Sequence, residues 1–62
     1  DVDDEDIEEI INALLSENPT LKADYLNSPE EVSNHIIGEV ISRTNGKARA
    51  EKILEVLANI MG

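Results

Sequence analysis

Aliphatic residues recur at helical spacing in three stretches of this chain, and each stretch is bounded by residues that start or stop helices. The first stripe is Ile7, Ile10, Ile11, Leu14 and Leu15, and the second is Val32, Ile36, Ile37, Val40 and Ile41. The third is Ala50, Ile53, Leu54, Leu57, Ile60 and Met61. Spacings of three and four put each set on one face of a helix. Between the stripes stand Asn18-Pro19, Ser28-Pro29 and Asn45-Gly46. Proline drives the residue before it out of the helical region and suits the first position of the next helix, while glycine ends a helix in the left-handed conformation. The pattern predicts an all-α fold, a small bundle of three longer helices plus one short helix, joined by tight turns.

Local signals refine this. Asp3 or Asp4 is placed to cap the first helix, and the acids that follow suit the positive end of its dipole. A short helix from Pro19 to about Leu26 is expected to face Leu21, Tyr25 and Leu26 inward and Lys22 and Asp24 outward. Tyr25 reads as an amphipathic anchor, with its ring buried and its hydroxyl at the rim. Ser28, Pro29 and Glu31 have the spacing of a capping box with proline at the first helical position. Gly38 inside the following helix costs about 1 kcal/mol relative to alanine, which implies that another backbone passes close to it. Gly46, or Asn45, supplies the left-handed residue that ends this helix, and Arg43 complements the negative dipole end. Gly62 is a stop for the last helix.

At 62 residues the chain is one domain, 1–62, and its core must be aliphatic, because it has one Tyr and neither Trp nor Phe. A domain this small buries only about 60% of its unfolded surface. The absence of cysteine excludes disulfides and thiolate metal sites. No apolar run approaches the roughly 20 residues that span a bilayer, and no signal segment opens the chain. Because it starts at Asp1 without Met, it is expected to be a fragment of a larger, soluble, intracellular subunit.

The formal charge is −9, and it is unevenly spread. Residues 1–9 hold seven acids and no base, whereas residues 43–52 hold Arg43, Lys47, Arg49 and Lys52 against Glu51 alone. The acidic start reads as a solvated helix end. It lacks the glycine and terminal Glu of a calcium loop. His35, without a second His or a Cys to share a ligand, reads as a boundary residue. No nucleophile–base pair is available, and Gly46-Lys47 is followed by Ala48, so a phosphate loop of the Walker type is not indicated. The chain is not expected to be an enzyme by itself. What remains is the corner from Thr44 to Lys52, where a helix N-terminus and nearby cations could hold phosphate oxygens. The alternative for these residues is a solubilising turn with one cation on a helix dipole. A different alternative for the whole chain is a helical protein–protein docking module that uses its acidic first helix.

Asn18-Pro19, Tyr25, Ile36-Ile37-Gly38-Glu39-Val40-Ile41, Thr44-Asn45-Gly46-Lys47-Ala48 and the Ile53-Leu54-Leu57 helix together resemble the GatB/YqeY tail domain. The resemblance runs from about Ile10 to Met61, and its most specific part is Gly38-x-Val40-Ile41 followed by Thr44-x-Gly46-Lys47-Ala48. It implies a non-catalytic, C-terminal, tRNA-binding tail of the B subunit of a tRNA-dependent amidotransferase, a ligase-type enzyme that converts Glu-tRNA(Gln) or Asp-tRNA(Asn) to the amidated form. A free-standing YqeY-like protein acting on or near tRNA is the other member of that resemblance. The tail would contact the tRNA backbone at its outer corner, with Arg43, Asn45, Gly46, Lys47, Arg49 and Lys52 as the contact set here. ATP, Mg and glutamine as ammonia donor would belong to the parent enzyme, leaving no cofactor and no metal in this domain. Expected partners are tRNA and the other subunits, with neither membrane nor DNA, in a bacterial cytoplasm or an organelle. Two departures from the family pattern are visible. Asn27-Ser28-Pro29-Glu30 stands where a basic step often follows the tyrosine, and Arg49-Ala50 stands where a small polar residue and proline usually open the last helix.

Overall fold

The computed structural model describes residues 2–62, so Asp1 of the acidic run lies outside the described residues. The fold is all-helical: α1 spans Asp4–Glu17, α2 Leu21–Asn27, α3 Pro29–Arg43 and α4 Ala50–Met61. α1, α3 and α4 pack on one another pairwise, and α2 lies against α3. Ile7, Ile11, Leu14, Val32, Ile36, Val40, Ile53, Val56 and Leu57 meet in the core, joined by Leu21 and Ala48. Burying each of the larger aliphatic side chains contributes about 1.5–3 kcal/mol. With no polar or charged residue buried among those described, none of that gain is spent on desolvating unpaired groups.

α1 is capped by Asp3, whose N–H donates to the Asp6 carboxylate at 3.2 Å. Asp4, Glu5 and Asp6 fill its first turn, where the dipole favours them. Asn18 ends it, its N–H donating to the Leu14 carbonyl. The short helix begins at Leu21 instead of Pro19 and does not face Leu26 inward. Leu21 is buried and Tyr25 half-buried, but Leu26 is 79% exposed. At 100° per residue Tyr25 stands about 40° from Leu21 and Leu26 about 140° away, so one face cannot hold all three.

Three further expectations are corrected. Ser28 begins α3 with Pro29 at the first position, but its side chain makes no capping hydrogen bond. Its N–H closes α2 on the Asp24 carbonyl, and its backbone sits at φ −140°, ψ 69°. Ending one helix while starting the next holds it away from the extended geometry in which a serine side chain caps. No backbone approaches Gly38, which is exposed, and a Cβ placed there would meet nothing within 4 Å. In α4 the inward face is Ile53, Val56 and Leu57, whereas Ala50 is exposed and Leu54 is 45% exposed. His35 is exposed.

Candidate functional site

The segment between α3 and α4 is built in two steps. First, α3 ends in a Schellman motif: the Gly46 N–H donates to the Ile41 carbonyl at 2.8 Å and the Asn45 N–H to the Ser42 carbonyl at 3.2 Å. Asn45 and Gly46 both take the left-handed region, at φ 56° and 80°, which is why an Asn-Gly pair stands there. Second, the chain is drawn back inward at Ala48, which is 6% exposed and belongs to the core. Exposed Lys47 and Arg49 flank it on either side.

Arg49 is the residue before α4, with extended backbone and no side-chain cap on the helix. The first-turn N–H groups of α4 therefore have no side-chain cap, and Lys47, Arg49 and Lys52 stand in and just before that turn. Lys47, Arg49 and Lys52 line one surface groove of about 490 Å³. Apolar Val2, Ile7 and Ala48 and the carboxylates Glu51 and Glu55 line it with them. The sequence reading counted Glu51 against the four cations but missed Glu55. The signal was present, since Glu55 lies four residues after Glu51 and three after Lys52, on one flank of the helix.

The six residues of the expected contact set are thus divided by the structure. Lys47, Arg49 and Lys52 share the groove, while Asn45 and Gly46 form the turn that leads into it. Arg43 does not line it. Its guanidinium is held by Glu17 at 3.1 Å and by Glu39 at 3.7 Å, tying the end of α3 to the end of α1. Lys52 is tied in turn to Asp4 at 3.3 Å, joining the starts of α4 and α1. Glu17 and Asp4 are at opposite ends of a helix about 20 Å long, so these two cations brace the bundle at separate points. Each pair is half-exposed, and such pairs contribute at most about 1 kcal/mol. Lys47 and Arg49 make no ion pair among the described residues.

A small helical domain with a basic turn ahead of its last helix is the class that these elements define. Compared with known protein families, residues 1–61 match the family described as the GatB domain. The chain belongs to that family, the GatB/YqeY tail domains. Its sequence is 32% identical over 54 residues to the B subunit of an aspartyl/glutamyl-tRNA(Asn/Gln) amidotransferase from Thermoanaerobacter sp. (strain X514), covering 87% of this chain and 11% of that protein. It is 39% identical over 49 residues to the protein of the same name from Methanosphaera stadtmanae, covering 79% of this chain and 11% of that one. The chain spans about one ninth of the length of the curated relatives it matches. No solved structure matches it. No helix among the described residues is long and apolar enough to cross a membrane.

Proposed function

We propose that the chain is a non-catalytic tRNA-contacting tail of an amidotransferase B subunit, and that the groove of Lys47, Arg49 and Lys52 meets the RNA backbone. The observation that carries this reading is the pair Lys47 and Arg49, unpaired among the described residues, beside the uncapped N-terminus of α4. Backbone N–H groups and two free cations form a site for phosphate oxygens that positions a nucleic acid without reading its bases. Family membership supports tRNA as that nucleic acid. The parent enzyme would amidate Glu-tRNA(Gln) or Asp-tRNA(Asn) in a cytoplasm or an organelle. ATP, Mg, glutamine-derived ammonia and the other subunits would act outside this domain.

The test is Lys47→Glu with Arg49→Glu in the complete amidotransferase. Each phosphate contact contributes roughly 0.7–0.9 to the slope of log affinity against log salt. The double reversal should therefore raise KM for tRNA at least tenfold and flatten the salt slope by roughly 1.5, with kcat and helical content unchanged. A tRNA KM and salt slope equal to those of the parent enzyme would refute the proposal. Reversal of Glu5 and Glu8, exposed on α1, serves as the contrasting control. If it impaired subunit assembly while the Lys47/Arg49 reversal left tRNA use intact, the acidic docking reading would take precedence.

A further inference from the structure

The Thr44 side chain does two things at once. Its hydroxyl donates to the Val40 carbonyl at 2.8 Å, with the Ile41 carbonyl also near at 3.3 Å. The same oxygen accepts the Ala48 N–H at 3.1 Å. The Thr44 carbonyl meanwhile accepts the Lys47 N–H at 3.2 Å. Thr44 thus joins the carbonyls in the last turn of α3 to the one loop amide that stands between Lys47 and Arg49.

We infer that Thr44 is the positioning residue of the basic groove: its hydroxyl latches Ala48 and thereby sets the direction in which Lys47 and Arg49 leave the backbone. Three facts support a latch rather than a helix cap alone. Asn45 and Gly46 already take two of the last carbonyls of α3 through the Schellman bonds, so ending the helix does not require the threonine. Ala48 is buried, and its N–H has no acceptor in the helices to either side, so the hydroxyl satisfies a donor that water reaches poorly. Between the two latched residues lie only Asn45, Gly46 and Lys47, two of them left-handed, so the excursion has one closed path. Without the hydroxyl, the Ala48 amide must turn toward solvent and carry its two cationic neighbours with it.

The inference rests on the proposed tRNA contact, and the experiment keeps the two separable. In the complete amidotransferase, Thr44→Val removes the hydroxyl at nearly constant shape, and Thr44→Ser restores it without the methyl group. Hydrogen exchange of the peptide containing Ala48 and steady-state kinetics on tRNA are measured for both variants, beside the Lys47/Arg49 reversal. The expected result is faster exchange at Ala48 and a tRNA KM raised roughly three- to tenfold in the valine variant, the worth of one hydrogen bond. Its kcat should stay unchanged, and both quantities should return to normal with serine. An unchanged tRNA KM in Thr44→Val, where the charge reversal raises it, would overturn the positioning role. So would a serine variant that behaves like valine, since packing of the methyl would then be the cause. Fast exchange in Thr44→Val together with a harmless charge reversal would leave the latch standing and remove the tRNA contact.

Discussion

Replacing Gly38 with alanine should make this domain more stable, although the position lies in the middle of its longest helix. Gly38 is the tenth of the fifteen residues of α3, its surroundings are open, and an added Cβ would touch nothing within 4 Å. Its φ is not in the left-handed region, so alanine adopts the same backbone without strain. What changes is the backbone freedom lost on folding, and host–guest scales put the gain at about 0.8–1.0 kcal/mol in a helix interior. For a 62-residue chain, an unfolding entropy of about 2.1 cal/mol/K per residue gives roughly 130 cal/mol/K. The same gain then raises Tm by about 6–8 °C. The assay is thermal unfolding of the parent chain and the variant, followed by far-ultraviolet circular dichroism. Serine at 38, intermediate in helix propensity, should give a smaller rise than alanine. The ordering glycine, serine, alanine distinguishes propensity from packing. A Tm that stays level or falls in the alanine variant would mean that position 38 is contacted in the folded chain, and the open geometry around it would be wrong.

Two further substitutions probe the turn and the groove. Gly46→Ala also adds a Cβ to open space, yet it should destabilise the chain by about 1–2 kcal/mol, because φ there is 80° and a side chain is strained in that region; an equal or higher denaturation midpoint in urea would contradict the Schellman ending. Asp4→Asn releases Lys52 from its 3.3 Å partner, so the tRNA KM of the complete enzyme should fall roughly two- to fivefold at low salt. The same variant should lose up to about 1 kcal/mol of stability through the weakened start of α1, and a KM that does not fall would mean that Lys52 is not used by the RNA.

The helix boundaries were legible because they rest on residues whose backbone chemistry is local. Asn18-Pro19, Ser28-Pro29 and Asn45-Gly46 each stand at an observed junction. Facing was less legible where the pattern was short or two templates overlapped. α2 has seven residues, two turns at most, and choosing between Leu21 with Tyr25 and Leu21 with Leu26 required the helical angle. In α4 the series Ile53, Val56, Leu57, Ile60 fits spacings of three, four and seven, and counting against that template would have selected Val56 over Leu54. The serine cap failed for a different reason. Ser28 has the right type and spacing, but the junction that it shares with α2 fixed its backbone elsewhere. Within the site, the loop cations were visible as a local excess of charge. The long-range partners of the helical cations Arg43 and Lys52 were not, because Glu17 lies 26 residues before Arg43 and Asp4 is on another helix from Lys52. Glu39, four residues before Arg43, was within reach of local spacing. Long-range pairing of surface charges depends on how the helices are laid together, and no local spacing encodes it.

The charge balance of the groove says how such a site can work. Three cations share the groove with Glu51 and Glu55, and one of the three is already occupied by Asp4, on a chain whose formal charge is −9. At a distance this molecule repels a polyanion, and no steering toward RNA is to be expected from it. At physiological salt, however, charges beyond about 8 Å are screened, so what a bound phosphate would meet is the local set: Lys47, Arg49 and the N–H groups of α4, with Glu51 and Glu55 on the same groove. On the proposed reading, the contact would be favourable only once the RNA backbone has been brought close. A domain spanning about one ninth of its relatives would gain little from attracting tRNA by itself. Holding a phosphate after another part has bound the tRNA would ask for a near-neutral site on an anchored loop, and burial of Ala48 between its two exposed basic neighbours ties this loop to the core.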